Sequence, residues 1–210
     1  SDIKDRAKDI PAILQKYQQK TKQKKQKILN IPREEIRKSL KIPSKYYINR
    51  GYTKEVLDKF DVGNCDSKGK QMNGRIVAPV YDENFEYVGC VGRTTKEDHN
   101  GYKWINSKYF NSGSHLYGYW LAKEKIREKK TIVLVEGQGD VWRLHEAGIE
   151  NVVILTDNDE GGEKARRSIK EKCGTLFNIV EPKFSAKDIG EMTVQQIQNE
   201  IKPQLEGKYV

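Results

Sequence analysis

Cysteine, histidine and long apolar stretches are all scarce in this sequence of 210 residues. The three cysteines, Cys65, Cys90 and Cys173, are far apart without a CxxC pair, and only three histidines are present. We therefore expect no zinc site in this chain, and a reducing, cytoplasmic location. No apolar run approaches the roughly 20 residues of a membrane-spanning helix, so no membrane association is expected.

Acidic residues are scarce in the first quarter of the chain. Residues 1–50 contain 15 Lys and Arg but 5 Asp and Glu, whereas the remaining residues contain 24 and 25. The net charge of +9 is therefore concentrated near the N-terminus. This distribution favours a polyanionic partner for that part, although a solvated helix or a disordered leader would have the same composition.

The hydrophobic pattern changes along the chain. Short helices broken by Pro32 and Pro43 come first, with Thr53 as the predicted N-cap of a helix through Phe60. The stretch "RIVAPVYDENFEYVGCVGR" then alternates with a period of two around an Asp-Glu-Asn turn, which predicts a β-hairpin. The following "TTKEDHNGYKWINSKYFNSGSHLYG", rich in Gly, Asn, Ser and aromatic residues, is interpreted as a loop.

The last third alternates apolar strands with helices. "TIVLV", "NVVILT" and "LFNIV" are continuous apolar runs separated by helical segments, which is typical of a parallel sheet covered on both faces. The expected fold is therefore α/β, or mixed α+β overall. Such sheets place functional groups at the carboxyl ends of their strands.

Two acidic clusters follow these strands. Glu136 comes directly after "TIVLV", where Gly137 is expected to let the backbone turn. Asp140 begins the next helix, where a capping role alone would also explain it. Asp157 and Asp159 follow the second strand and, if the backbone stays extended, project to the same side. Asp188 follows the third strand and has no evident local structural task, since Thr193 and Gln196 form the capping box of the last helix.

Converging carboxylates repel one another and need protons or cations at neutral pH. Oxygen ligands without His or Cys favour Mg²⁺ or Mn²⁺ over zinc. The sequence therefore predicts a divalent-cation site suited to phosphoryl transfer.

These residues resemble the Toprim domain, in which Glu-Gly follows one strand and Asp-x-Asp follows another. "VEGQGD" and "TDNDEGG" match that pattern. Upstream, "YYINRGYTKEVLDKFDVG", "GRIVAPVYDENFEYVGCVGR" and "SKYFNSGSHLYGYWLA" are similar to successive segments of DnaG-type primases, in the same order from about Tyr46 onward. The resemblance is therefore to the catalytic core of a bacterial or phage-like DnaG-type primase.

The resemblance implies metal-dependent synthesis of short RNA primers on single-stranded DNA from nucleoside triphosphates. It implies that Glu136, Asp157 and Asp159 are catalytic metal ligands, with Asp140 and Asp188 as supporting acids. It also implies nucleotide or template contacts from basic and polar residues: Arg75, Arg93, Lys108, Tyr109 and Asn111. A replicative helicase is an expected partner through regions not in this chain, which would make the chain a catalytic-core fragment.

The chain departs from the family pattern between the two acidic motifs. "GIENVVILTDND" has room for only one strand between Glu150 and Asp157, because a parallel crossover needs a dozen or more residues. Either the module is abridged or a segment is missing near 153–154, and the second interpretation is favoured. The expected domains are a basic helical or flexible leader at 1–43, a primase-type subdomain at 44–125 and a Toprim domain at 126–210.

Two other functions remain open at this stage. A Toprim nuclease would use the same metal site for phosphodiester cleavage. A non-catalytic accessory module that binds single-stranded nucleic acid would have a Toprim site that is vestigial or senses nucleotides.

Overall fold

The computed structural model describes residues 31–96, 101–112, 115–154, 167, 170, 171, 174 and 176–206. The chain divides into two compact units, one of which covers Lys24–Asn111 and the other of which includes Ser112–Val210. We call the described residues of these segments the N-terminal unit and the C-terminal unit. The division does not decide the predicted domain bounds, which stay predictions.

The N-terminal unit begins with three short helices, α1 (Arg33–Lys38), α2 (Lys45–Asn49) and α3 (Lys54–Lys59). The predicted cap of α3 is confirmed, because the Thr53 side chain accepts a hydrogen bond from the Val56 amide at 3.3 Å. Prolines precede α1 and α2, as expected of residues that interrupt a helix but are tolerated at its start.

A four-stranded antiparallel sheet follows these helices. Its strands are β1 (Gly63–Cys65), β2 (Arg75–Tyr81), β3 (Tyr87–Thr94) and β4 (Trp104–Asn106), hydrogen-bonded in that order. The predicted hairpin is confirmed as β2 and β3, and the Asp82 side chain closes the turn by accepting hydrogen bonds from the Asn84 and Glu86 amides. The interpretation of the next segment as a loop was wrong for 104–106, which pair with β3.

The register assigns side chains to the two faces of this sheet. Ile76 lies opposite Arg93, and Arg93 lies opposite Trp104, so these three residues share one face. The other face carries Val77 and Cys90, which pack with Cys65 and Met72 in a buried cluster. Gly89 is required by the packing of β3, because a Cβ atom there would lie 2.5 Å from the Phe110 ring.

A buried carboxylate attaches α1 to the N-terminal unit. Asp61 is fully buried and accepts hydrogen bonds from Arg33, Arg37 and the Tyr81 hydroxyl. Burial raises the pKa of Tyr81, and the adjacent Asp61 raises it further, so the hydroxyl stays a donor. The charge of Asp61 is therefore compensated by partners from helix α1 and strand β2.

The C-terminal unit contains the predicted parallel sheet. Helix α4 (Tyr119–Lys129) precedes strand β5 (Thr131–Val135), helix α5 (Gln138–Glu146) and strands β6 (Val152–Ile154) and β7 (Asn178–Val180). The strand order is β6-β5-β7, and both pairings are parallel. A 3₁₀ helix (Ile189–Glu191) and helices α6 (Val194–Glu200) and α7 (Lys202–Leu205) complete the unit.

Strand β5 is central in this sheet, and all five of its residues are buried. Ile132 and Leu134 pack against Ala122 and Ile126 of α4 on one face, together with Val153 and Phe177. The prediction from the continuous apolar run is confirmed for β5, because both faces of this strand are covered. A single strand, β6, lies between Glu150 and the second acidic motif.

No helix among the described residues is long and apolar enough to span a membrane.

The Asp61 cluster gives a stability prediction. Asp61→Asn keeps a side chain that tolerates the left-handed backbone at this position (φ 56°) but removes the buried charge. Removing one partner of a buried ion pair costs about 3–5 kcal/mol, so with two partly exposed arginines we expect the free energy of unfolding to fall by about 2–4 kcal/mol in urea denaturation.

The matched control is Asp66→Asn, which removes the partner of Lys41 in an exposed ion pair. Its unfolding midpoint should stay close to that of the parent chain. Equal midpoint shifts in the two variants would contradict the role assigned to Asp61.

Candidate active site

The candidate site lies at the carboxyl end of β5. Glu136 follows the strand directly and is exposed, and Asp140 lies in the first turn of α5. Chain direction explains this placement, because a parallel strand leaves the sheet where the next helix begins. The amino end of α5 also carries the positive end of the helix dipole, which favours carboxylates there.

Both oxygens of Asp140 accept backbone hydrogen bonds. Oδ2 accepts from the Gly137 amide at 3.0 Å, which confirms the capping role, and Oδ1 accepts from the Gly190 amide at 2.9 Å. Asp140 therefore connects the start of α5 to the 3₁₀ helix, 50 residues along the chain.

The pKa of Asp140 responds to burial and to two other carboxylates. Burial raises the pKa of Asp140, the amides of Gly190 and Gly137 oppose that rise, and the negative charges of Asp188 and Glu136 add to it. Additional positive charge here would favour the ionised form of Asp140.

Arg143 completes the attachment of Gly190. Its Nε and Nη2 donate to the Gly190 carbonyl, each at 3.4 Å, while its Nη1 forms an ion pair with Glu146. Because Asp140 and Arg143 are three residues apart on α5, they reach the amide and the carbonyl of the same glycine. The sequence analysis missed Arg143, for which spacing from Asp140 was the only available signal.

We call the carboxyl end of β5, with Glu136, Asp140 and Asp188, the acidic edge of the sheet. Two expectations about this edge were wrong. Asp188 does have a local structural task, since its Oδ1 accepts a hydrogen bond from the Glu191 amide at 2.9 Å and caps the 3₁₀ helix. Gly137 does not need the conformational freedom of glycine, because its backbone is extended (φ −132°, ψ 156°) and a Cβ atom would make only ordinary contact with Asp140. The capping box of Thr193 and Gln196 is confirmed.

Asp157 and Asp159 lie outside the described residues. Among the residues that are described, no three His, Cys, Asp or Glu side chains are arranged so that they could hold a metal ion. The assignment of Asp157 and Asp159 as metal ligands together with Glu136 therefore stays a prediction.

The predicted nucleotide and template residues belong to the N-terminal unit. Arg75 and Arg93 lie on opposite faces of its sheet, because Arg93 pairs with Ile76, the residue next to Arg75. The Arg75 guanidinium donates to the carbonyls of Gly92, Tyr102 and Lys103, which gives it a structural task. The sheet does not bring these two arginines together on one face.

Arg93 is buried among aromatic rings. Its guanidinium carbon lies 4.6 Å from the ring centre of Tyr46 and 5.9 Å from that of Trp104. Burial alone would raise the pKa of Tyr46, but hydrogen bonds from Arg50 and Arg93, together with their charges, lower it below its usual value. No described carboxylate forms an ion pair with Arg93 within the ranges given above.

The remaining three predicted residues are close in sequence and exposed: Lys108, Tyr109 and Asn111. The Lys108 ammonium group lies 5.0 Å from the centre of the Tyr109 ring. The Gln71 side chain fixes this segment, since it accepts from the Lys108 amide at 2.8 Å and donates to the Asn106 carbonyl at 3.0 Å. Their roles in binding stay predictions.

The cap at Asp188 gives a prediction that separates the role of its acceptor oxygen from the role of its negative charge. Asp188→Ala should lower the free energy of unfolding by about 0.5–2 kcal/mol because the Glu191 amide loses its acceptor, whereas Asp188→Asn keeps the acceptor and should stay within about 0.5 kcal/mol of the parent chain. Urea denaturation measures both. Equal destabilisation by Asn and Ala would show that Asp188 does not act as a cap.

No family model matches the chain. Its sequence is 40% identical over 112 residues to a DNA primase of Helicobacter pylori, a match that covers 50% of this chain and 20% of that protein. It is 28% identical over 166 residues to a DNA primase of Geobacillus stearothermophilus, covering 62% of this chain and 27% of that protein. The matches thus span about a fifth to a quarter of the length of these curated relatives.

Solved primase structures share the fold. The zinc-binding and RNA polymerase domains of the Aquifex aeolicus primase match with a TM-score of 0.55 and 25% identity, over 76% of this chain and 53% of that one. A DnaG catalytic core matches with a TM-score of 0.59 and 19% identity, over 81% and 75%. A DnaG primase catalytic domain bound to single-stranded DNA matches with a TM-score of 0.55 and 18% identity, over 93% and 76%.

The mixed α/β architecture, with helices and a parallel sheet, agrees with that of these cores, and a Toprim domain is consistent with it. Sequence similarity to DNA primases and fold similarity to DnaG catalytic cores together support a DnaG-type primase core in this chain.

Proposed function

We propose that this chain is a primase catalytic core that synthesises short RNA primers on single-stranded DNA from nucleoside triphosphates, with Mg²⁺ or Mn²⁺. The observation that carries the proposal is the position of Glu136 and Asp140 at the carboxyl end of the buried strand β5, with Asp140 hydrogen-bonded to Gly190 of the 3₁₀ helix that Asp188 caps. The primase similarity supports it, and one structural neighbour is itself bound to single-stranded DNA.

Glu136, Asp140 and Asp188 offer carboxylate oxygens, the ligand type that hard divalent cations prefer. The described residues alone do not form a group of three that could hold a cation, so the proposal needs further ligands. Glu136 is exposed and so is the described side chain best placed to be a direct ligand, whereas Asp140 is engaged by two amides and contributes mainly charge. In the proposal, Asp157 and Asp159 complete the ligand set.

A divalent cation bound here would supply Lewis-acid polarisation of phosphate oxygens. The residues of the chain perform the remaining tasks. Asp140 and Arg143 fix Gly190, and through it the loop that carries Asp188, so that the acidic edge is held before a nucleotide arrives. Such preorganisation lowers the cost of reaching the transition state. Arg93 and Lys108 are proposed to provide positive charge toward the nucleotide or template.

Glu136→Gln should reduce primer synthesis by at least about 100-fold while leaving the fold intact, because the amide keeps the size of the side chain but lacks the charge. Asp157→Asn and Asp159→Asn should have the same effect. The measurement is incorporation of labelled nucleotide on a single-stranded template with Mg²⁺ or Mn²⁺.

Glu124→Gln is the control for that assay, since Glu124 is exposed on α4 and pairs only locally with Arg127. It should synthesise primers at the parent rate. Normal synthesis by Glu136→Gln, Asp157→Asn and Asp159→Asn would refute the proposed site. Cleavage of DNA without added nucleotides would indicate a nuclease instead.

Cation binding has its own readout in thermal unfolding. A cation that binds only the folded chain stabilises it, by about 2.7 kcal/mol at a concentration 100 times its Kd. We therefore expect Mn²⁺ to raise the Tm of the parent chain and of Glu124→Gln, and to raise that of Glu136→Gln much less. An equal Tm increase in all three, at matched ionic strength, would show that Glu136 is not a ligand.

A further inference from the structure

Two exposed aromatic side chains, Tyr102 and Trp104, lie at the start of strand β4. Trp104 lies on the same face as Arg93, with which it is paired. The contact with β3 continues one residue further, because the Thr94 amide donates to the Lys103 carbonyl at 3.0 Å. Tyr102 precedes Trp104 by two residues, just before the strand begins. The exposed fractions are 81% for Tyr102 and 40% for Trp104.

This pair is held by the sheet beneath it. The Arg75 guanidinium donates to the Tyr102 and Lys103 carbonyls, and the Arg93 guanidinium lies 5.9 Å from the Trp104 ring. Because these contacts hold the backbone of Tyr102 and Lys103, this segment loses little backbone entropy when a ligand binds to it.

Cations lie close to the pair in sequence and across the sheet. Residues 101–112 contain Lys103 and Lys108 but no Asp or Glu, whereas Glu97 and Asp98 precede this segment. Arg93 adds a guanidinium that is 8% exposed, and its Nη1 is buried without a hydrogen-bond partner in the part of the chain that the structure describes. Cations beside exposed aromatic rings favour a ligand that combines flat rings with negative charge.

We propose that Tyr102 and Trp104 form a stacking surface for unpaired bases of a single-stranded nucleic acid. Aromatic side chains beside cations bind single strands by stacking on base faces while the cations attract the phosphates. In a duplex the base faces are covered, so this surface selects single strands. The inference rests on the proposed function and adds to it a surface for the template strand in the N-terminal unit.

Trp104 allows a direct test by intrinsic fluorescence. The chain has three tryptophans, and the other two, Trp120 and Trp142, are 2% and 1% exposed. Oligothymidylate added to the full chain without nucleotides or metal should quench the tryptophan emission as it binds, and a duplex of the same length should quench it much less. The Trp104→Ala variant should lose this quenching.

Affinity measured by anisotropy of a labelled oligothymidylate separates stacking from charge. We expect Trp104→Ala to bind about tenfold more weakly, within the range measured for loss of one stacked base, and Trp104→Tyr to stay within about threefold of the parent chain. The slope of log affinity against log salt should be unchanged in both, because neither removes a cation. Tyr102→Ala should weaken binding in the same direction.

Parent affinity in both Trp104→Ala and Tyr102→Ala would overturn the inference, as would equal quenching by duplex and single strand. Loss of affinity in Trp104→Tyr equal to that in Trp104→Ala would also overturn it, since stacking tolerates tyrosine. These outcomes can be told apart from failure of the proposed function. If the chain makes no primers but oligothymidylate quenches its tryptophan emission, the stacking surface stands and the proposed function fails. If primers are made but Trp104→Ala and Tyr102→Ala bind with parent affinity, only the stacking surface is refuted.

Discussion

Gly190 is held through both of its backbone polar groups, and the acidic edge of the parallel sheet depends on that attachment. The Asp140 carboxylate accepts from its amide, and Arg143 donates to its carbonyl. Both side chains project from helix α5, which begins where β5 ends. Gly190 is two residues from Asp188, so the position of Asp188 depends on two side chains about 50 residues earlier. Both of those side chains belong to the helix that follows the buried strand β5.

Holding carboxylates together in this way opposes folding. Burial and two like charges raise the pKa of Asp140, although two amides and the helix dipole favour its ionised form. In the proposed function, a cation bound at this edge would relieve that repulsion. Arg143 does not neutralise these carboxylates, because its Nη1 forms an ion pair with Glu146.

Local signals in the sequence were enough to predict much of this fold. The cap at Thr53, the capping box of Thr193 and Gln196, the β2–β3 hairpin and the buried strand β5 all follow from residues within a few positions of one another. Contacts between distant segments were not accessible in the same way. Strand β4 has no clear alternation of its own and forms because β3 offers an edge. The cap at Asp188 belongs to a 3₁₀ helix too short to leave a periodic pattern.

The arginines show the same limit for the candidate site. Arg75 and Arg93 have the same side chain and lie on neighbouring strands, but the register puts them on opposite faces. On one face, carbonyl groups occupy the Arg75 guanidinium; on the other, Tyr46 and Trp104 enclose Arg93 without supplying a negative charge. Hydrogen bonds to carbonyl groups hold the Arg75 guanidinium in place, whereas the Nη1 of Arg93 has no hydrogen-bond partner among the described residues. Resemblance to a family carries over residue types, but the packing of this chain gives the two arginines different surroundings, which their positions in the sequence do not reveal.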